Sequence, residues 1–246
     1  MTFRLKSITS VIALGLGLAV SSASATSINF DIGVDTSQAG FAPLLTNGDA
    51  LAQNGFYIGT ASTKATAQLG DLVGSLVDGT DTGVCQNITC PSNNATTYLA
   101  MIDDGLPFLQ TMSGDQFKIS SFDASFIAGS GAVVPNVALL LRVYGFVGNV
   151  SFFEDVLLGG FTAGALQFST YTLSNVFASR SYDEVDFYGY ACDANGSCNR
   201  SANAAQFALD NINVAAVTPV PEPETFALMA AGLIALGLRR RRSARS

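Results

Sequence analysis

The chain of 246 residues contains no histidine and no tryptophan, and its 12 basic residues are outnumbered by 19 acidic ones. Without histidine there is no Ser-His-Asp triad and none of the usual metallohydrolase ligand sets, so two large classes of hydrolytic chemistry are excluded. Basic residues are scarcest where a fold can form. Between Thr26 and Thr218 only Lys64, Lys118, Arg142, Arg180 and Arg200 are basic, against seventeen acidic residues, a balance of −12. Such a body has no cationic patch to displace counterions from phosphates, which excludes nucleic acid as a partner. Glutamate is nearly missing from the same stretch, with only Glu154 and Glu184 present. Glycoside hydrolysis needs just two carboxylates, but no motif isolates a catalytic pair, and the sequence reads as that of a non-enzyme.

What the chain does have is two unusual ends. Arg4 and Lys6 precede an apolar run from Ile8 to Val20, and Ala23-Ser24-Ala25 follows with the small-x-small pattern that signal peptidase cuts. Residues 1–25 therefore read as a signal peptide removed after Ala25, since the run falls short of the roughly 20 apolar residues a spanning helix needs. At the other end, Phe226 to Leu238 (FALMAAGLIALGL) is a second short apolar run. As a helix rising about 1.5 Å per residue it covers roughly 20 Å, less than a hydrocarbon core of about 30 Å. Arg239, Arg240, Arg241 and Arg242 follow at once and hold that end on the cytoplasmic side, so the body is expected outside and the tail inside. Pro219, Pro221 and Pro223 stop the helix from extending backwards and keep the segment before it extended.

Pro221-Glu222-Pro223, the apolar helix 226–238 and the arginine block, in that order within residues 219–246, resemble the PEP-CTERM sorting signal of Gram-negative bacteria. The resemblance implies recognition by an exosortase, an inner-membrane intermediate, removal of the tail, and delivery to the cell surface or an exopolysaccharide matrix. It implies no activity for the body. A plain C-terminal membrane anchor is the alternative that the same helix and arginines would serve.

The four cysteines, Cys85, Cys90, Cys192 and Cys198, form two close pairs inside the exported stretch 26–218. In an oxidising compartment they read as two small disulfide loops, 85 to 90 and 192 to 198, with an all-cysteine zinc site as the competing reading. The body is otherwise rich in Gly, Asn, Ser, Thr and Asp, with short apolar runs at intervals. Strand signals fall at 27–32, 55–59, 97–102, 116–127, 137–147, 150–158, 166–173, 183–191 and 206–217, which together predict an all-β fold, a β-sandwich of jelly-roll type. In VALLLRVYGFV (137–147) both alternating faces are largely apolar, so this strand is expected to be covered on each side. KATAQLGDLVGSLVDG (64–79) reads as a helix or an irregular excursion. In QFALDNINV, Phe207 and Leu209 have one parity and Ile212 and Val214 the other, so a bulge at Asp210-Asn211 is expected to turn both pairs inward.

FALDNINV, FKISSFDASF and LLRVYGFVGNV also resemble blocks of the jelly-roll domains that often precede this sorting signal, domains with the general shape of carbohydrate-binding modules. That resemblance implies the fold, and it marks Asp31 and Asp210, near the first and last strands, as candidate ligands of a structural calcium rather than a catalytic cofactor. Solvated turn aspartates are the plainer reading of both. Tyr182, Tyr188 and Tyr190 are the candidates for stacking on sugar, against the plainer reading of core-edge aromatics. The sequence thus describes an exported, non-enzymatic surface or exopolysaccharide-matrix protein, with a carbohydrate-binding module attaching to exopolysaccharide as the alternative.

Overall fold

The computed structural model describes residues 25–81, 85, 88–129, 134–199, 205–217, 229 and 232–233. Two antiparallel sheets pack face to face. The first runs from β14 (Ser169–Thr172) through β10 (Phe117–Phe126), β17 (Phe207–Ala216), β8 (Thr97–Met101) and β6 (Leu72–Asp78) to β3 (Leu44–Thr46). β1 (Ala25–Ile28) pairs with the same flank of β17 as β8 does, further along the strand. The second sheet runs from β13 (Val150–Gly159) through β12 (Val137–Val147), β15 (Glu184–Cys192), β9 (Gly105–Thr111), β5 (Phe56–Ser62) and β4 (Ala50–Gln53) to β2 (Asp35–Gln38), and β16 (Cys198–Asn199) adds to β15. A small ladder of β7 (Ile88–Thr89) and β11 (Ala128–Gly129) lies apart, and a short helical turn, α1 (Asn175–Ala178), follows β14.

The core is the layer between the sheets, built from residues of one parity on each strand. β17 contributes Phe207, Leu209, Ile212 and Val214, all buried, and the expected bulge is there: Asn211 is exposed with φ of 48° while the flanking pairs point inward. β12 contributes Leu139, Leu141 and Val143, each fully buried. Its other face differs from the sequence expectation. Leu140, Arg142, Tyr144 and Phe146 are only half-buried, and no described element is layered over them. The apolar count of this strand reflected aromatic side chains lying on an open face, not a second covering layer.

Other differences are local. The stretch 64–79 is not helical; it ends in β6, which runs between β8 and β3. β9 has little strand signature because it carries Gly105 and Pro107, yet Pro107 is tolerated because the described β15 ladder reaches only Phe108 and Leu109. β1 stops at Ile28, since Phe30 turns to φ of 58°. β14 keeps only Ser169–Thr172 of the stretch 166–173, and Leu166 and Leu173 are buried outside it.

Both disulfides form, Cys85–Cys90 and Cys192–Cys198, which leaves no free thiol for zinc. The first closes a loop over a small outer cluster of Val77, Tyr98, Ala100, Ile127 and Ala208, against which Cys85, Ile88 and Phe168 pack. The second closes the turn between β15 and β16. Tyr182 joins the two sheets: its backbone exchanges hydrogen bonds of 2.9 and 2.8 Å with Phe117, and its ring lies against Gly145 of β12. A Cβ at position 145 would overlap that ring, and Tyr182 is fully buried with nowhere to move. Gly145→Ala is therefore expected to lower stability by about 1–3 kcal/mol, the usual range for overpacking, measured by urea unfolding.

Candidate functional site

The open face of the second sheet gathers its side chains by register. Across β13, β12 and β15, Leu157–Leu140–Tyr190, Asp155–Arg142–Tyr188, Phe153–Tyr144–Asp186 and Ser151–Phe146–Glu184 form successive rows. β9 and β5 extend the third row with Phe108 and Gly59, and here glycine is required because the Phe108 ring occupies the space a Cβ would fill. Alternation along each strand puts the core residues on one side and these on the other, so the inward aliphatics fix where the outward aromatics stand.

The result is an aromatic platform. Tyr144 meets Tyr188 edge-to-face at 5.3 Å, stacks on Phe146 at 6.2 Å and tilts against Phe153 at 5.9 Å. Tyr144, Phe146, Tyr188 and Tyr190 border a shallow depression of about 290 Å³. Arg142 braces it with a bidentate pair to Asp155, Nε donating to Oδ1 at 2.6 Å and Nη2 to Oδ2 at 2.8 Å. Its guanidinium lies 4.2 Å from the Phe153 ring centre and 5.5 Å from that of Tyr190. Hydrogen bonding to Asp155 and Tyr144 raises its already high pKa further.

Among these aromatics lies a carboxyl pair. Asp186 is 7% exposed, and its Oδ1 has no hydrogen-bond partner among the described residues. Burial above all, then the charge of Glu184 and a hydrogen bond with it, push Asp186 up to about 8. Glu184 in turn accepts from Gln110 Nε2.

The sequence-predicted residues divide clearly. Tyr188 and Tyr190 stand on the platform, half-buried. Tyr182 does not: it is fully buried and its hydroxyl donates to the Phe177 carbonyl at 2.9 Å, because it precedes β15 and faces the core. Tyr144, Phe146, Phe153, Arg142 and the carboxyl pair were missed. The usable signal was the run Arg142-x-Tyr144-x-Phe146, aromatic and charged where a covered face would be aliphatic.

Asp210 is 1% exposed and floors a separate polar depression of about 280 Å³ beside Asp123, Asn93 and Phe168. Its carboxylate accepts from Asn94 Nδ2 at 2.7 Å, Thr96 Oγ1 at 3.2 Å and the Asn211 amide at 2.7 Å, while burial raises it to about 6. Asp31 accepts from the Thr97 amide and is exposed. No group of three or more carboxylates or cysteines able to hold a metal occurs among the described residues.

Ala25 opens β1, whereas Ala23, Pro221, Glu222, Pro223 and Arg239 to Arg242 lie outside the described residues. The apolar run 226–238 lies outside them too, apart from Met229, Gly232 and Leu233, which are helical and exposed. Among the described residues no helix is long and apolar enough to cross a membrane.

Residues 219–242 match the PEP-CTERM protein-sorting motif. The motif marks the chain as an exported protein sorted by an exosortase, held at the membrane before processing. No curated protein matches the chain. Among solved structures, it is similar to the N-terminal endo-1,4-β-D-xylanase 10B of Clostridium thermocellum, CBM22-1 and GH10 modules complexed with xylohexaose, at 12% identity and a TM-score of 0.26. The match covers 78% of this chain and spans only 29% of the length of that one.

Asp186 also makes a stability prediction. A carboxyl held at about 8 when folded and at about 4 when unfolded favours the fold fully at low pH, and that contribution is lost as pH rises between the two values. Asp186→Asn is expected to raise the unfolding midpoint at pH 7 and to flatten the fall in stability from pH 4 to pH 8, followed by urea denaturation across that range.

Proposed function

We propose that the exported body is a non-enzymatic cell-surface or matrix protein that holds exopolysaccharide on the aromatic face of its second sheet. The observation that carries this reading is the uncovered platform of Tyr144, Phe146, Phe153, Tyr188 and Tyr190. Sugar rings present one apolar face and a rim of hydroxyls, which suits flat aromatic rings set beside hydrogen-bonding groups. A globular domain has no packing reason to leave so many aromatic edges half-exposed on one sheet face.

The non-enzymatic part of the reading draws on the same face. Glu184 and Asp186 are neighbours on one strand and one sheet face, instead of standing on opposite sides of a cleft as the two carboxyls that flank a glycosidic bond do. No motif in the sequence isolates a second catalytic carboxylate elsewhere in the body. The tail supplies location: signal peptidase frees the body from residues 1–25, and exosortase processing at the tail releases it from the inner membrane to the surface or matrix of a Gram-negative cell.

The test uses the full chain in a host with and without exosortase. Wild type is expected to lose residues 1–25 and its tail and to remain with the polysaccharide fraction, while Glu222→Ala keeps the tail and stays in the membrane. Tyr144→Ala with Tyr188→Ala is expected to be processed normally but to bind purified exopolysaccharide about thirty-fold more weakly, as two stacking contacts of about 1 kcal/mol each imply. Unchanged retention by the double variant would sink the platform reading, and an uncleaved tail in every host would leave a plain membrane anchor.

A further inference from the structure

We propose that the Glu184–Asp186 pair is a seat for an ammonium group, so that the polymer held on this face is an amino-sugar polysaccharide carrying free, unacetylated amines. The inference rests on the reading of the face as a saccharide platform and names the ligand it selects. One observation is the lack of any free cation there. Arg142 is the only cation in the described rows of the face, and both arms of its fork are committed to Asp155. An acidic sugar finds no partner, and it meets a body with a charge balance of −12.

The second observation is the state of Asp186. Only 7% of it is exposed, it projects to the platform side of β15 because Val185 and Phe187 fill the core, and its Oδ1 has no partner among the described residues. A buried carboxyl oxygen without a donor is costly, and the donor that best satisfies a carboxyl pair is a cation. Tyr144 and Phe108 stand opposite Asp186 on the neighbouring strands, with Tyr188 next on its own face, so an ammonium arriving there also meets aromatic rings. Acetylation removes that charge, and a neutral glucan never had it.

The groups facing Asp186 are Glu184 and Tyr188 on β15, and Tyr144 and Arg142 on β12 with Asp155 beyond. From β9 come Phe108 and Gln110, which do not titrate, with Tyr57 beyond them on β5. At pH 6 the free protein keeps Asp186 protonated, since it titrates at about 8. Ammonium on the pair favours the ionised carboxylate, so a proton passes to the buffer as ligand binds.

Calorimetry of the full chain at pH 6 with hexamers of glucosamine, N-acetylglucosamine and galacturonate tests this. The glucosamine hexamer is expected to bind about ten-fold tighter than its acetylated counterpart, the increment of one charge-assisted hydrogen bond, and the galacturonate hexamer to give no binding. In Asp186→Asn and in Glu184→Gln the ratio between the first two should fall to about one. The wild-type binding heat should change with the ionisation enthalpy of the buffer, and that of Asp186→Asn should not. Equal affinity for both hexosamines in wild type, a preference that survives in both variants, or tighter binding of galacturonate overturns the amine seat while leaving a saccharide platform standing. Failure of all three hexamers to bind overturns the platform reading as well.

Discussion

The phase reset in β17 is the constraint on which the first sheet depends. This strand pairs with β10 along one flank and with β1 and β8 along the other, so its side-chain parity sets the sheet's inner face. A regular strand would bury Phe207 and Leu209 and turn Ile212 and Val214 to solvent. One extra residue, Asn211 in a left-handed conformation, restores all four to the core. Asparagine tolerates that conformation better than most residues, and its side chain then donates to Asp123 on the neighbouring strand at 2.8 Å. β10 carries its own irregularity between Ile119 and Ser121, which brings the two strands back into step. Without the reset, Ile28 of β1 would face a partner whose side chain had left the core.

The second sheet meets a different requirement, to hold polar and aromatic groups still on an open face. β12 is paired with β13 and β15 along almost all of its length, so its outer residues are fixed by twin ladders instead of by a loop. The inward Leu139, Leu141 and Val143 lock the phase, because a slip of one residue would bury Arg142 and expose Leu141. Arg142 then adds lateral bracing through Asp155 and the Phe153 ring. A surface ion pair of this kind contributes little to folding, but it holds the rings at its flanks in place.

Much of this was legible in the sequence and some of it was not, for physical reasons. Two-residue periodicity exposed β12, β15 and β17, whose inner faces are largely aliphatic or aromatic, and the parity break in QFALDNINV gave away the bulge. Strands such as β2 (DTSQ) and β4 (ALAQ) carry small or polar residues and are held by their neighbours, so pattern alone could not find them. The platform was half visible. Tyr188 and Tyr190 declared themselves, but whether a second layer covers an apolar strand face is a property of the whole sandwich, which no single strand records. Asp186 left no trace, since its burial comes from side chains on β12 and β9, distant in the chain.

Asp186 is also where folding and binding pull in opposite directions. A sequence shaped for stability alone would place an amide or hydroxyl at this position, because an acid with an unsatisfied oxygen among aromatic rings opposes the fold at neutral pH. Departures of this kind from local consistency gather where a structure meets a ligand. A ligand that supplies the missing donor binds the folded chain and not the unfolded one, so it returns the lost stability by mass action. On the proposed reading the body is least settled when free in solution and most settled with its ligand bound.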